Sequence, residues 1–192
     1  MKKSRRAAEL ADSLFTSVDE ISKLIGQIHF VTKASANPKP KGQVKMGTIV
    51  SGVLQRLESR ILKKEASIAE PDSWPEVNGV ADWLEFIWWS FVVNALQHAG
   101  EKPQIKLSWQ QNKDGFCFQV YDNGGGVPAE FRARLFQPFD SLHKPEGGRG
   151  LGLSIVQRLV DLQGGNCGYE HLPGGPIFFF TLPAVNKRIH PI

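Results

Sequence analysis

The sequence predicts an α/β two-layer sandwich, in which a mixed, mostly antiparallel β-sheet is covered by helices and preceded by an N-terminal helix. Apolar residues at helical spacing dominate the first half of the chain. Two predicted β-hairpins follow, each with a Gly-containing turn, and one further helical segment lies between them. This order of elements is typical of a helical layer packed on one face of a sheet.

The N-terminal helix is predicted from an apolar stripe. Its members alternate spacings of four and three, and they are Leu14, Val18, Ile21, Ile25 and Ile28. A lone helix over residues 7–33 cannot bury this stripe within itself, so we expect it to pack on the following domain or on another chain. Residues 36–42 contain two prolines and a glycine and predict a linker. We therefore divide the chain into a helix and linker, 1–42, and a domain, 43–192.

Two helices and a short strand begin the predicted domain. The first helix spans residues 45–64, the strand residues 66–69, and the second helix residues 80–99. The core stripe of the second helix is Leu84, Ile87, Trp88, Phe91, Val92 and Ala95. Its polar stripe is Ser90, Asn94, Gln97 and His98. On so apolar a helix this polar stripe indicates either a solvated face or a binding surface.

The second half of the chain supplies the hairpins. Strands are predicted over residues 105–109 and 116–121, and again over residues 166–171 and 177–182. The helix between them spans residues 151–163, and the glycine pair that follows ends it.

Composition excludes several classes of protein. The net charge of +4 is due to Lys2, Lys3, Arg5 and Arg6, because the remainder has 19 basic and 19 acidic residues. A neutral body argues against nucleic-acid binding. Cys117 and Cys167 lie far apart without a Cys/His cluster, so we expect reduced thiols and no zinc site. No signal peptide or membrane-spanning apolar run is present in this sequence, and a cytoplasmic location is expected.

Asp122 is the first candidate site residue. It follows a predicted strand and precedes three glycines. Glycine allows positive φ and the close approach of a flat ring, and a carboxylate at this point can accept a hydrogen bond from the exocyclic amine of adenine. The alternative is a plain Asp-Asn-Gly turn.

A glycine-rich segment over residues 147–152 precedes a helix. The unpaired amides and the dipole at a helix N-terminus favour phosphate binding. The spacing fits neither a dinucleotide-binding GxGxxG nor a P-loop. Arg149 is either an exposed loop residue or an additional phosphate contact.

Four motifs occur in a characteristic order: NALQH at 94–98, DNGGGV at 122–127, FQPF at 136–139 and GGRGLGL at 147–153. Over residues 43–184 the chain resembles the ATP-binding catalytic domain of sensor histidine kinases, in the GHKL superfamily. Residues 11–33 resemble the second helix of that family's dimerisation bundle. The resemblance implies the Bergerat fold, with ATP and Mg²⁺ bound.

The resemblance also assigns roles to residues. Asn94 corresponds to the magnesium ligand, and His98 to a residue near the nucleotide. Asp122 corresponds to the adenine-binding Asp, with Gly124 and Gly126 as the pocket floor. The loop glycines and Leu151 are in register with the phosphate loop. The implied ATP-binding residues are Asn94, His98, Asp122, Gly124, Gly126, Gly148, Arg149, Gly150, Leu151 and Gly152, and no catalytic residue is assigned.

The chain departs from the family at several positions. Ser90 replaces the Glu of the ATP-hydrolysing members, Gln97 replaces a Lys, and Ile177 stands for a Thr of the last hairpin. No His is followed by Glu or Asp, so the phosphoacceptor motif is absent from the sequence. The resemblance therefore implies transfer of the γ-phosphate to a histidine elsewhere, with an acceptor domain and a response regulator as partners in trans. It also implies a homodimer through residues 10–33.

Two alternatives remain open. A pseudokinase, or an ATP/ADP-sensing module, would bind nucleotide without phosphotransfer, as Ser90, Gln97 and the absent acceptor favour. A phosphotransferase of the same fold would have lost its nucleotide site, and Asp122 with intact glycines argues against that.

Overall fold

The computed structural model describes residues 25, 26, 29, 31–36, 39–138 and 151–184. The chain forms two compact units, Met1–Pro38 and Lys39–Ile192. In the first unit residues 31–36 are helical, and Ile25 is 62% exposed. The other members of the apolar stripe lie outside the described residues, so the dimer surface over residues 10–33 stays a prediction. None of the described helices is long and apolar enough to cross a bilayer.

The described part of the second unit contains eleven elements. In chain order they are β1 (Gly42–Lys45), α1 (Met46–Lys63), β2 (Ser67–Ala69), β3 (Glu76–Gly79), α2 (Ala81–His98), β4 (Gln104–Asn112), β5 (Gly115–Asp122), α3 (Ala129–Arg132), α4 (Gly152–Leu162), β6 (Cys167–Leu172) and β7 (Gly175–Pro183). Five strands form one sheet in the order β2-β4-β5-β7-β6. Only β2 and β4 pair in parallel within this sheet, so the predicted mixed, mostly antiparallel sheet is confirmed.

A second, two-stranded sheet was absent from the prediction. β1 pairs antiparallel with β3, and Gly42 lies opposite Gly79. Each strand has four residues and buries one valine, Val44 or Val77, which is too short a pattern to signal a strand. The predicted linker is therefore wrong at its end, since Gly42 begins a strand.

The layer of helices is attached to the sheet by aromatic packing. Trp88 of α2 meets Phe118 edge-on at 6.1 Å and Phe180 at 5.6 Å between ring centroids. Phe118 and Phe180 stack on each other at 5.0 Å. All three side chains are fully buried. Every residue of the predicted core stripe of α2 is at most 1% exposed. Burying a side chain of this size contributes about 1.5–3 kcal/mol, so this contact fixes α2 on the sheet.

Gln163 joins the two helices that lead to the candidate site. Its side chain is 1% exposed, and Oε1 accepts a hydrogen bond from the N–H of Val80 at 3.0 Å. Nε2 donates to the carbonyl of Leu159 at 3.3 Å. The Gln163 carbonyl accepts a hydrogen bond from Lys41 Nζ at 2.6 Å. One residue thus ties the start of α2, the end of α4 and the segment before β1.

Candidate nucleotide-binding site

Asp122 ends β5 with its side chain on the helix-covered face of the sheet. Alternation along the strand places Phe118, Val120 and Asp122 on this buried face, and Asp122 is only 2% exposed. Its Oδ1 accepts a hydrogen bond from the N–H of Gly124 at 2.8 Å. Burial raises the pKa of the carboxyl above its ordinary value, and the Gly124 hydrogen bond lowers it only in part. A buried acceptor is therefore held at the end of the strand.

The glycine loop packs against the end of helix α2. A Cβ on Gly124 would lie 2.6 Å from the His98 carbonyl oxygen and 3.2 Å from Ala99 Cα, so only glycine fits. This close approach places the loop that follows Asp122 directly against the end of the helix that carries Asn94. Two of the four sequence motifs are thereby brought into one site.

Asn123 anchors the same loop to β4. Its Oδ1 accepts from the N–H of Gln104 at 2.9 Å, and its Nδ2 donates to the Lys102 carbonyl at 3.3 Å. Asn123 was not among the predicted site residues, although an Asn after a strand end is a known turn signal.

The polar stripe of α2 runs from the interior to the surface. Ser90 is 7% exposed, and its Oγ is the buried side-chain polar atom without a hydrogen-bond partner in the described part of the chain. Asn94 is half-buried one turn later, whereas Gln97 and His98 are exposed. A solvated face therefore does not account for Ser90, which is buried, and accounts only in part for Asn94, which is half-buried.

The start of α4 has no side-chain cap at Leu151. Among the residues that the structure describes, no atom lies within 4 Å of the position that a Cβ on Gly152 would take. Leu151 is buried, and its carbonyl accepts a hydrogen bond from Ser154 Oγ at 2.9 Å. Gly148, Arg149 and Gly150 lie outside the described residues, so their phosphate contacts stay predictions.

The register of β7 corrects the position assigned to Ile177. Ile177 pairs with Tyr121, and both point to the face of the sheet opposite Asp122. Its neighbours Pro176 and Phe178 are buried and alternate with it onto the Asp122 side. Ile177 therefore does not line the site, and Pro176 is the residue of this strand end that faces it.

Residues 79–186 match the family model described as "Histidine kinase-, DNA gyrase B-, and HSP90-like ATPase". The chain belongs to this family. The phytochrome-like protein Cph1 of Synechocystis is 29% identical over 94% of this chain and 24% of its own length. Sensor histidine kinase ZraS of Escherichia coli K12 is 27% identical over 96% of this chain and 38% of its own length. The chain thus spans well under half of these relatives.

Solved structures of family members share the fold. The catalytic domain of histidine kinase ThkA has a TM-score of 0.69 at 24% identity, covering 76% of this chain and 96% of that chain. Full-length ShkA, solved in complex with AMPPNP, has a TM-score of 0.73 at 26% identity, covering 90% of this chain and 38% of that chain. The predicted membership in the GHKL superfamily and the predicted Bergerat fold are confirmed.

The buried carboxyl of Asp122 predicts a pH-dependent gain of stability on substitution. A carboxyl whose pKa is raised by folding destabilises the fold progressively as pH rises from its unfolded pKa of about 4 toward the raised folded pKa. The effect is complete above the folded pKa and absent below the unfolded one. Asp122→Asn keeps the acceptor for Gly124 and removes the charge. We expect a higher unfolding temperature than the unsubstituted chain at pH 7, with the difference vanishing near pH 3. Thermal unfolding followed across this pH range measures it, and a lower unfolding temperature at pH 7 would contradict it.

Proposed function

We propose that this chain is the ATP-binding catalytic portion of a two-component sensor histidine kinase, which transfers the γ-phosphate of ATP to a histidine outside the chain. The observation that carries the proposal is the buried Asp122, set in a glycine loop that packs on the end of the Asn94 helix. Membership in the family supports it.

Asp122 is the proposed adenine ligand. A carboxylate offers only acceptors, which match the exocyclic amine of adenine and mismatch the carbonyl of guanine. The Gly124 N–H orients one oxygen at 2.8 Å, which leaves further acceptor capacity on the carboxylate. Gly124 and Gly126 form the floor on which the base lies, and His98 lies at the helix end beside them.

Magnesium is proposed to enter with the nucleotide. The described residues contain no group of three or more His, Cys, Asp or Glu side chains that could hold a metal. The amide of Asn94 and the unpartnered Oγ of Ser90 are neutral oxygen donors one turn apart. Such a set fits Mg²⁺, which takes few protein ligands and completes its shell with phosphate oxygens and water. When bound, the ion neutralises charge that develops on the phosphates.

Catalysis in this proposal depends on positioning rather than on a general base. The hydroxyl of Ser90 is not a strong base at neutral pH, which disfavours direct attack by water. The glycine segment at the start of α4 is proposed to bind the phosphates through Gly148, Arg149, Gly150, Leu151 and Gly152. The chain then presents the γ-phosphate to an incoming histidine.

The partners are also proposals. ThkA has been solved in complex with the response regulator protein TrrA, which supports an acceptor domain and a response regulator as partners here. We place this chain in the cytoplasm, alone or as the cytoplasmic part of a membrane-bound sensor, with self-association through residues 10–33. The domain predicted to begin at residue 43 is extended to Lys39, where the second compact unit begins. Light scattering of Ile21→Glu tests the self-association, since a dimer insensitive to this charge would refute it.

A pseudokinase that senses ATP or ADP is the second candidate. Gln97 is exposed and uncharged at the position where members of the family usually have a Lys, and the sequence has no acceptor motif. Nucleotide binding is common to both candidates, and phosphotransfer separates them.

The first nucleotide prediction concerns Asp122→Asn. The substituted amide can turn a donor toward the adenine amine, which leaves an unmatched group in a closed site at a cost of about 1–3 kcal/mol. Calorimetry should show weaker binding of both ADP and ATP. The matched control is Asp114→Asn, an exposed carboxyl in the β4–β5 turn. Equal ADP affinity in Asp122→Asn and the unsubstituted chain would refute the adenine assignment.

The second nucleotide prediction concerns Asn94→Ala. Loss of the amide oxygen should weaken ATP binding in the presence of Mg²⁺ by about tenfold and change metal-free ADP binding much less. Titrations with and without Mg²⁺ measure the difference. If both decrease to the same extent, Asn94 has a structural role only.

The third prediction concerns phosphotransfer. With γ-labelled ATP the chain alone should neither label itself nor release phosphate rapidly, because it lacks an acceptor motif and a hydrolytic Glu. Addition of a separate histidine-acceptor domain should produce acid-labile label on that domain. Nucleotide binding without any label on supplied acceptor domains would favour the pseudokinase.

A further inference from the structure

We propose that Tyr169 on β6, together with Arg132 and His171, is a positioning group for the nucleotide loop. These three side chains are called the Tyr169 clamp below. The inference rests on the proposed nucleotide site and adds to it residues that none of the four motifs contains. The clamp holds the far end of the glycine loop, at Gly126 and Val127, in the conformation that accepts the base.

Both polar backbone groups of Val127 are satisfied by clamp side chains. Tyr169 Oη accepts a hydrogen bond from the Val127 N–H at 2.8 Å. Arg132 Nε donates to the Val127 carbonyl, also at 2.8 Å. Residues 123–128 belong to no helix or strand, so no ladder fixes Val127 in place. The conformation of this loop end therefore depends on side chains that the fold brings in.

The clamp also encloses Gly126. This residue has φ of 70°, and a Cβ there would lie 2.5 Å from His171 Nδ1 and 2.6 Å from Tyr169 Oη. Tyr169 Oη and His171 Nδ1 are themselves 3.3 Å apart, within hydrogen-bond reach. Glycine is required at this position for its backbone conformation and for the space that the clamp occupies.

The ring of Tyr169 is held by the core. It meets Phe178 edge-on at 5.1 Å, and Phe178 lies 5.6 Å from Phe91 of α2. The guanidinium of Arg132 lies over the Tyr169 ring, 5.7 Å from its centre. The loop end is thus connected through three aromatic rings to the helix that carries Asn94.

Preorganisation explains why the clamp matters for binding. A loop held in its binding conformation loses little conformational freedom when the ligand arrives. Without Tyr169 Oη the Val127 N–H has no partner in that conformation, so the free loop relaxes and the nucleotide must reorder it. Loss of the Tyr169 hydroxyl should therefore lower the nucleotide affinity and increase the solvent exposure of the Val127 amide.

The decisive variant is Tyr169→Phe, which keeps the ring and removes the acceptor. We expect the Kd for metal-free ADP, measured by calorimetry, to rise about fivefold to tenfold. Hydrogen exchange of the Val127 amide in the free chain should accelerate, while amides within β5 and β7 stay protected as before. The control is Tyr121→Phe, because the only other tyrosine of the sequence points to the opposite face of the sheet. It should change neither quantity.

Arg132→Gln provides an independent test, because Arg132 is exposed and its replacement does not disturb the core. It should also weaken ADP binding. Unchanged ADP affinity in both Tyr169→Phe and Arg132→Gln would overturn the inference. Accelerated hydrogen exchange throughout β5 and β7 would also overturn it, because it would indicate a general loss of stability. Failure of the unsubstituted chain to bind ADP would instead refute the proposed function, and with it this inference.

Discussion

The packing of helix α2 on the sheet is the contact on which the site depends. Trp88 and Phe91 point from the helix into rings supplied by β5 and β7, and every one of these side chains is buried. Because helix and strands are rigid elements, this contact also fixes Asn94 relative to Asp122. The geometry of the proposed nucleotide site therefore follows from core packing, because the motifs that begin at Asn94 and Asp122 meet where α2 and β5 end.

The buried carboxyl of Asp122, at the proposed adenine site, costs the fold stability. A charged group with one backbone hydrogen bond does not recover the hydration that it loses on burial, and its raised pKa expresses this cost. The unpartnered hydroxyl of Ser90 is a second polar group buried at some expense. Both lie in the region proposed for adenine and magnesium, where a ligand would satisfy them.

Sequence patterns were sufficient for the long elements and insufficient for long-range contacts. The core stripe of α2 repeats over three turns, so its burial could be read from spacing alone, and the hairpins carried clear turn residues. Strands β1 and β3 are too short for such a pattern. Tyr169 reaches Val127 across 42 residues only because the sheet places β6 beside the loop, and no spacing in the sequence signals that contact. Arg132 reaches Val127 locally, from α3, over five residues. Which face of the sheet Ile177 points to could be decided only from the strand register in the structure.

Gln163 fixes the C-terminal end of helix α4. Its side chain accepts a hydrogen bond from the N–H of Val80, the residue before α2, and its carbonyl accepts one from Lys41. The 11-residue helix places Gly152 roughly 16 Å from this end, at about 1.5 Å per residue. Between the two ends, Ile155, Val156, Leu159 and Val160 are buried in the core. A single buried glutamine thereby helps to set the position of a helix start that lies about three turns away.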